Sequence, residues 1–426
     1  MPGLSFISSN NVAPGQIGVG LSSIVGPTGS IGPTGAQAIV AASLDAFGRL
    51  RVSNPFTLFD SQNRYKINDQ FDSYTTGTFS SVTYSTGTST VLLNIGTGTN
   101  DKVLRETFKV FPYQPGKSLL VMSTFVLNPA KTNLIQQVGY YGASNGIFLK
   151  LENNHLYIVK RKQDTGDISI PQASWNCDPL DGTGYSGLTL DITKAQILFI
   201  DLEWLGVGSV RVGFVINGQF IYAHIFNHAN IASSTYMTTA CLPIRYEIFN
   251  NGITSSPSTM SQICSTVVSE GGYQGKSIKR YASTSTTTTN VSTSLTPIIS
   301  IRLRSDRLDS IVIPSQVDLL LTSSSTIQYK LIYKGSVTGG TWLNYGNDSN
   351  VEYNITPNTI TGGTSVDEAY MTSSSQIKST LAGDSFAFDL SLGRTISGVS
   401  DTLTICAISF SGTATVAASL GWYELI

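Results

Sequence analysis

Between Ala195 and His224 the chain runs through three consecutive stretches in which apolar and polar residues alternate, and this period of two ties it to antiparallel sheet. The first stretch is Ala195-Gln196-Ile197-Leu198-Phe199-Ile200-Asp201-Leu202-Glu203-Trp204. A glycine-containing turn leads to Val210-Arg211-Val212-Gly213-Phe214-Val215-Ile216, and Asn217-Gly218 leads to Gln219-Phe220-Ile221-Tyr222-Ala223-His224. Asn-Gly between alternating runs marks a type I′ hairpin, because that turn needs positive φ at both central positions. A three-stranded meander is predicted here. A second Asn-Gly, Asn145-Gly146, lies between Tyr140-Tyr141 and Ile147-Phe148-Leu149 and marks another hairpin.

The same pattern extends in both directions, with almost no helical periodicity. The chain reads as all-β: an antiparallel jelly-roll or lectin-like β-sandwich over residues 45–282, then a second, smaller β-sandwich over residues 295–426. Alternating runs in the second part are Ile299-Ser300-Ile301-Arg302-Leu303, Gln328 to Tyr333, Phe386-Ala387-Phe388-Asp389-Leu390 and Leu403 to Phe410, and Gly421 to Ile426 reads as a last strand or a subunit contact. Residues 283–294, nearly all Ser and Thr, read as a linker. Residues 1–44 form an extended Gly/Pro/Ser-rich arm with no sustained period. Within it Gly26, Gly29, Gly32 and Gly35 recur at every third position, the spacing a collagen-type triple helix requires at its axis. Two readings stand: a polyproline-like linker, or a short three-chain bundle held in register by its neighbours.

Charged residues are only 12% of the 426 and nearly cancel, Lys+Arg 26 against Asp+Glu 27. So weak a field makes nucleic acid a poor partner, and a surface of Ser, Thr, Asn and Gly offers little repulsion between copies. The four cysteines, Cys177, Cys241, Cys264 and Cys406, have no metal-ligand spacing and read as buried free thiols. The start, Met1-Pro2-Gly3-Leu4-Ser5, lacks the basic and apolar regions of a signal peptide. No apolar run reaches the roughly 18 residues of a membrane span. Synthesis in a cytoplasm, without membrane insertion, is the expectation.

Several arrangements invite a chemical reading. Asp201 and Glu203 lie two apart on one strand face, as paired glycosidase carboxylates do on a jelly-roll face. With a turn centred on Val207, however, Glu203 faces Arg211, and the Asn217-Gly218 hairpin sets Arg211 opposite His224. A cross-strand ion pair stabilises a sheet by roughly 0.2–1 kcal/mol, and a neighbouring Arg lowers a carboxyl pKa, the wrong direction for a general acid. His224 and His228 sit four apart, about 13 Å along a strand, too far to share a metal. His155 reads as a turn residue. Asp178-Pro179-Leu180-Asp181-Gly182-Thr183-Gly184 lacks the EF-hand spacing and reads as a polar turn. No P-loop, Rossmann fingerprint or GxSxG elbow is present. No catalytic residue, cofactor or metal is expected. Tyr140, Tyr141, Trp175 and Tyr185, in or near predicted loops, are the candidate glycan contacts, since sugar rings stack on aromatic faces.

Particular segments add a likeness. Asp45-Ala46-Phe47-Gly48-Arg49-Leu50-Arg51-Val52-Ser53, Gln137 to Gly142, Phe199 to Gly208, Phe226-Asn227-His228-Ala229-Asn230 and Leu242 to Glu247 together resemble a structural protein of tailed phages, of the marine and cyanobacterial type, over roughly residues 45–275. Pro297 to Arg302 and Thr338-Gly339-Gly340-Thr341-Trp342 resemble a module of similar virion proteins. The resemblance implies a non-enzymatic virion component, fibre-like or decorating, with no activity attached to particular residues. The partners it implies are further copies of the chain in a homotrimer and capsid or tail proteins. A receptor-binding module for host surface polysaccharide is the alternative.

Overall fold

The computed structural model describes residues 54–274, 277–373, 376–380 and 389–425, and these form an all-β chain of two sandwiches. The arm glycines Gly26, Gly29, Gly32 and Gly35 and the run Phe386-Ala387-Phe388 lie outside the described residues. None of the described helices is long and apolar enough to cross a membrane.

The first sandwich packs an eight-stranded sheet on a seven-stranded one. Across the first sheet the order is Gln219–Phe226, Val210–Ile216, Gln196–Leu202, Leu119–Val126, Ser258–Ser269, Thr90–Ile95 and Ser81–Ser85, with Phe56–Gln62 paired to Ser258–Ser269. The facing sheet runs Gly166–Pro171, His155–Lys162, Gly146–Glu152, Leu134–Tyr141, Ile244–Asn250, Lys102–Thr107 and Phe71–Thr76. All pairings are antiparallel, and non-consecutive neighbours make it jelly-roll-like. The meander is present. Leu198, Ile200 and Leu202 alternate into the shared core with Val210, Val212 and Phe214, while Phe199 and Tyr222 pack together on the outer face.

Asn217 and Gly218 have φ of 53° and 75°, the left-handed pair that a type I′ turn requires. The expected register fails beyond it. A bulge between Val212 and Gly213 sets Val212 opposite His224 and Arg211 opposite Ile225, and the preceding turn aligns Arg211 with Asp201, not Glu203. The bulge goes with its glycine: a Cβ on Gly213 would lie 2.0 Å from the Ile221 carbonyl oxygen and 2.8 Å from the Phe199 ring. The second hairpin also forms, but Gly146 already pairs with Tyr141, so its loop is 142–145 and Asn145-Gly146 is not its centre.

The second sandwich holds a five-stranded sheet, Ser277–Ser283, Ala414–Leu425, Val312–Leu321 and Gln376–Thr380 with Thr289–Val291 also on Ala414–Leu425. Against it lies a six-stranded sheet, Leu343–Asn344, Val351–Asn354, Thr296–Leu303, Thr402–Ser409, Ile327–Tyr333 and Thr364–Met371, and a small ribbon pairs Ser336–Thr338 with Thr359–Thr361. Its core surrounds the fully buried Trp422. The supposed linker 283–294 is therefore corrected. Strands on either side of 284–288 hydrogen-bond to Ala414–Leu425, which places this segment inside the second sandwich.

The two sandwiches meet at a charged contact. Glu106, fully buried, accepts from Arg245 on its own sheet at 2.6 Å and from Arg394 of the second sandwich at 2.6 Å. Arg394 also reaches Asp309 at 3.0 Å, and its backbone N–H donates to the Phe108 carbonyl at 2.8 Å. Asp72 accepts the Ile396 N–H at 2.7 Å. Glycine at 393 permits the approach, since a Cβ there would stand 2.6 Å from the Phe108 carbonyl oxygen.

Candidate functional site

The aromatic residues singled out in the sequence do not gather into a surface. Tyr140 and Tyr141 are fully buried and Trp175 nearly so, which corrects their assignment as glycan contacts. The Leu134–Tyr141 strand continues through both tyrosines, so one ring enters the core and the other lies on the outer face. The Tyr140 hydroxyl donates to the Ala240 carbonyl at 2.8 Å and accepts the Leu242 N–H at 3.1 Å, pinning the 240–242 segment. Tyr141 stacks on Phe148 with ring centres 4.3 Å apart and lies against Arg245 and Arg161. The Trp175 indole N–H donates to the Ile170 carbonyl at 3.2 Å, which closes the core under the 172–175 turn. Tyr185 alone of the four is exposed, at 50%.

Polar groups on the large sandwich hold its own loops and strands. Asp201 is fully buried and ion-paired to Arg211, whose guanidinium lies over the Tyr222 ring. Glu203 accepts from the Tyr113 hydroxyl at 3.2 Å, and the pair pushes that phenol up to about 12, burial being the larger cause. Asp178 is spent on the backbone, accepting the Leu180 N–H at 2.8 Å and the Ser186 N–H at 2.9 Å, as a polar turn does. His155 is not in the turn: the left-handed pair Asn153-Asn154 makes it, and His155 opens the His155–Lys162 strand opposite Glu152.

The histidines occupy separate environments. His224 Nδ1 accepts the Asn176 N–H at 3.3 Å, and burial and then Lys160 pull its pKa to about 4. His228 lies 2.7 Å from the Gly208 carbonyl oxygen through Nδ1, which must be the donor, and Nε2 then faces the Lys160 ammonium at 2.9 Å. Its ring stacks on Tyr236 with centres 4.0 Å apart, and burial lowers its pKa. Among the described residues, no group of three or more His, Cys, Asp or Glu is placed to hold a metal ion. Of the four free thiols, Cys406 is buried, while Cys177, Cys241 and Cys264 are half-buried.

A cleft of about 550 Å³ lies between the sandwiches. Phe108, at the end of the Lys102–Thr107 strand, forms one wall. The second sandwich supplies the rest. Trp342, half-buried, precedes the edge strand Leu343–Asn344 and is held against the sheet by the Arg302 guanidinium 4.1 Å from its ring centre. Arg302 is fixed in turn by Glu352, its cross-strand neighbour, at 2.8 Å. Lys334, just past the Ile327–Tyr333 strand, has φ of 61° and places its ammonium 3.4 Å from the Phe108 ring centre. It stands 3.8 Å from Asp401, whose carboxylate accepts the Gly393 N–H at 3.0 Å and the Tyr333 hydroxyl at 2.9 Å. Burial raises the Asp401 pKa and lowers that of Lys334, so the two oppose the effect each exerts on the other. Arg302 lies in the alternating run 299–303 and Trp342 ends the glycine-containing stretch 338–342. Phe108, Lys334, Glu352 and Asp401 carry no local pattern.

No protein-family model and no curated protein matches the chain. Among solved structures it is similar to a protein of unknown function from Shewanella oneidensis MR-1, with TM-score 0.35 and 11% identity over 58% of this chain and 99% of the other. It is similar also to the carbohydrate recognition domain of Emp47p, with TM-score 0.32 and 9% identity over 52% of this chain and 99% of that domain. Peanut lectin aligns with TM-score 0.29 and 10% identity, over 51% of this chain and 98% of the lectin.

Proposed function

We propose that this chain is a non-enzymatic structural component of a tailed-phage particle, anchored by residues 1–44 and displaying its two sandwiches as a head fibre, decoration or tail-fibre element. The resemblance of the 45–275 segments motivates the placement in a virion. The observation that carries the structural reading is the contact at Glu106, where two arginines from different sandwiches converge on one buried carboxylate. Such a contact suits a part that bears load or projects from a surface. Asp201 and Glu203, the carboxylates nearest to a catalytic arrangement, serve an ion pair and a loop contact. Copies associate, in this reading, through exposed apolar side chains such as the Tyr370–Phe410 ring pair and through the Gly26 to Gly35 triplets as a homotrimer. Made in the host cytoplasm, the chain leaves it in the assembled particle. Recognition of a host polysaccharide is the second reading, favoured by the cleft beside Trp342.

The test is fractionation of purified particles with detection of the chain by mass spectrometry, beside light scattering of the full chain and of a form lacking residues 1–44. Presence at a fixed ratio to capsid or tail proteins is expected, with a trimer that becomes a monomer without the arm. Absence from intact particles overturns the virion reading, and a monomer in both forms overturns the trimer.

A further inference from the structure

We propose that the cleft between the sandwiches is a binding site for a short, uncharged oligosaccharide, with Trp342 as its stacking wall; this deepens, and rests on, the polysaccharide-recognition reading. At about 550 Å³ the cleft lies within the size range of small-molecule sites, roughly 300–1,000 Å³. Its charges come in matched pairs. Arg302 is joined to Glu352 at 2.8 Å and Lys334 to Asp401 at 3.8 Å, so the four contribute no net charge and the site has no electrostatic preference for an anion.

Paired ions nevertheless remain strong donors and acceptors, the complement of a ligand whose hydroxyls both give and take hydrogen bonds. Trp342 and Phe108 supply apolar walls, and each already bears a cation, at 4.1 and 3.4 Å, which restrains the ring and the cation before any ligand arrives. An apolar ligand would strand these charged groups without water, and a phosphate or uronate would have to displace a carboxylate from its cation. A neutral sugar ring meets neither cost. Because Phe108 comes from one sandwich and Trp342, Arg302 and Lys334 from the other, the site is complete only in the docked chain.

The experiment is isothermal titration of the full chain with cellotriose, maltotriose and mannotriose, and with trigalacturonate as the acidic counterpart. Binding of at least one neutral trisaccharide is expected, weakened by about tenfold or more, about 1.4 kcal/mol, in Trp342→Ala. Tyr185→Ala should leave it unchanged. Trp342 is half-buried, and an unchanged far-ultraviolet circular dichroism spectrum and thermal unfolding midpoint check that the variant folds. Preference for trigalacturonate, or loss of binding in Tyr185→Ala but not in Trp342→Ala, overturns the proposal. So does absence of binding to all four at millimolar concentration. In each of these cases the structural reading stands or falls separately, on the particle fractionation.

Discussion

Replacing Arg394 by methionine tests whether the Glu106 contact joins the sandwiches energetically as well as geometrically. The Glu106 side chain is 1% exposed and that of Arg394 15%, so this ion pair is nearly dry. Removing one partner of a buried pair costs about 3–5 kcal/mol, because the remaining charge stays desolvated. Glu106 keeps Arg245 at 2.6 Å, which reduces that penalty, to roughly 2 kcal/mol. Asp309, 60% exposed, loses its own contact with Arg394, and such exposed pairs contribute about 0.2–1 kcal/mol. Methionine retains much of the aliphatic packing, and the backbone N–H of residue 394 still reaches Phe108. The expected loss is thus about 2–3 kcal/mol.

Glu106→Leu should cost more, about 3–5 kcal/mol, since it leaves two guanidiniums, 12% and 15% exposed, facing one another without their carboxylate. The double variant should then be less damaged than the sum of the single ones, by about 1–3 kcal/mol. Urea unfolding of the four proteins, followed by far-ultraviolet circular dichroism and by tryptophan fluorescence, gives the cycle. Trp175 and Trp204 report on the first sandwich, and Trp342 and Trp422 on the second. A coupling below about 0.5 kcal/mol, the usual scatter between independent sites, would refute the reasoning and make the contact a surface accident.

Other consequences are open to direct test. Burial holds the folded His224 pKa near 4 against 6.5 in a free side chain, so the unfolded chain takes up a proton first as the pH falls. Its contribution is complete above about pH 6.5 and is lost down to about pH 4, roughly 1–2 kcal/mol after solvent screening; urea midpoints should fall across that window, and less steeply in His224→Gln. Gly213→Ala should cost at least about 2–3 kcal/mol, because the new methyl group meets the Ile221 carbonyl at the bulge; thermal unfolding that matches the native protein would contradict this. Burial pushes the Cys406 thiol up to about 12. In the folded chain it should therefore resist iodoacetamide and react only after denaturation, which peptide mass spectrometry reads by position.

The sequence makes the strands legible because alternation is a local property. It is weaker on how strands align, since one extra residue moves every later pair. At Gly213 the alternation on either side is intact, yet the ladder to Gln219–Phe226 slips there and Arg211 faces Ile225, while the turn before Val210 separately sets Arg211 opposite Asp201. Composition misleads in a related way at residues 283–294. Ser and Thr suit a linker, yet backbone groups alone suffice to join the edge of an existing sheet, and Thr289–Val291 does so.

The candidate site was harder to read because nothing local joins its parts. Phe108 and Asp401 lie on different sandwiches and meet through the turn at Arg394, whereas Tyr140 and Tyr141 only appear to sit at a loop because their strand continues to the end of its run. Aromatic residues beside a turn signal are thus ambiguous. Trp342 differs in what precedes it: Gly339 and Gly340 have φ of 75° and 70°, and a Cβ on Gly340 would lie 2.2 Å from the Thr356 carbonyl oxygen. Two successive left-handed residues break strand alternation, so the ring after them is placed by the turn and not by the pleat. A tryptophan delivered by such a turn has no inward or outward assignment from strand parity, which leaves it able to line a cleft that the core aromatics cannot reach.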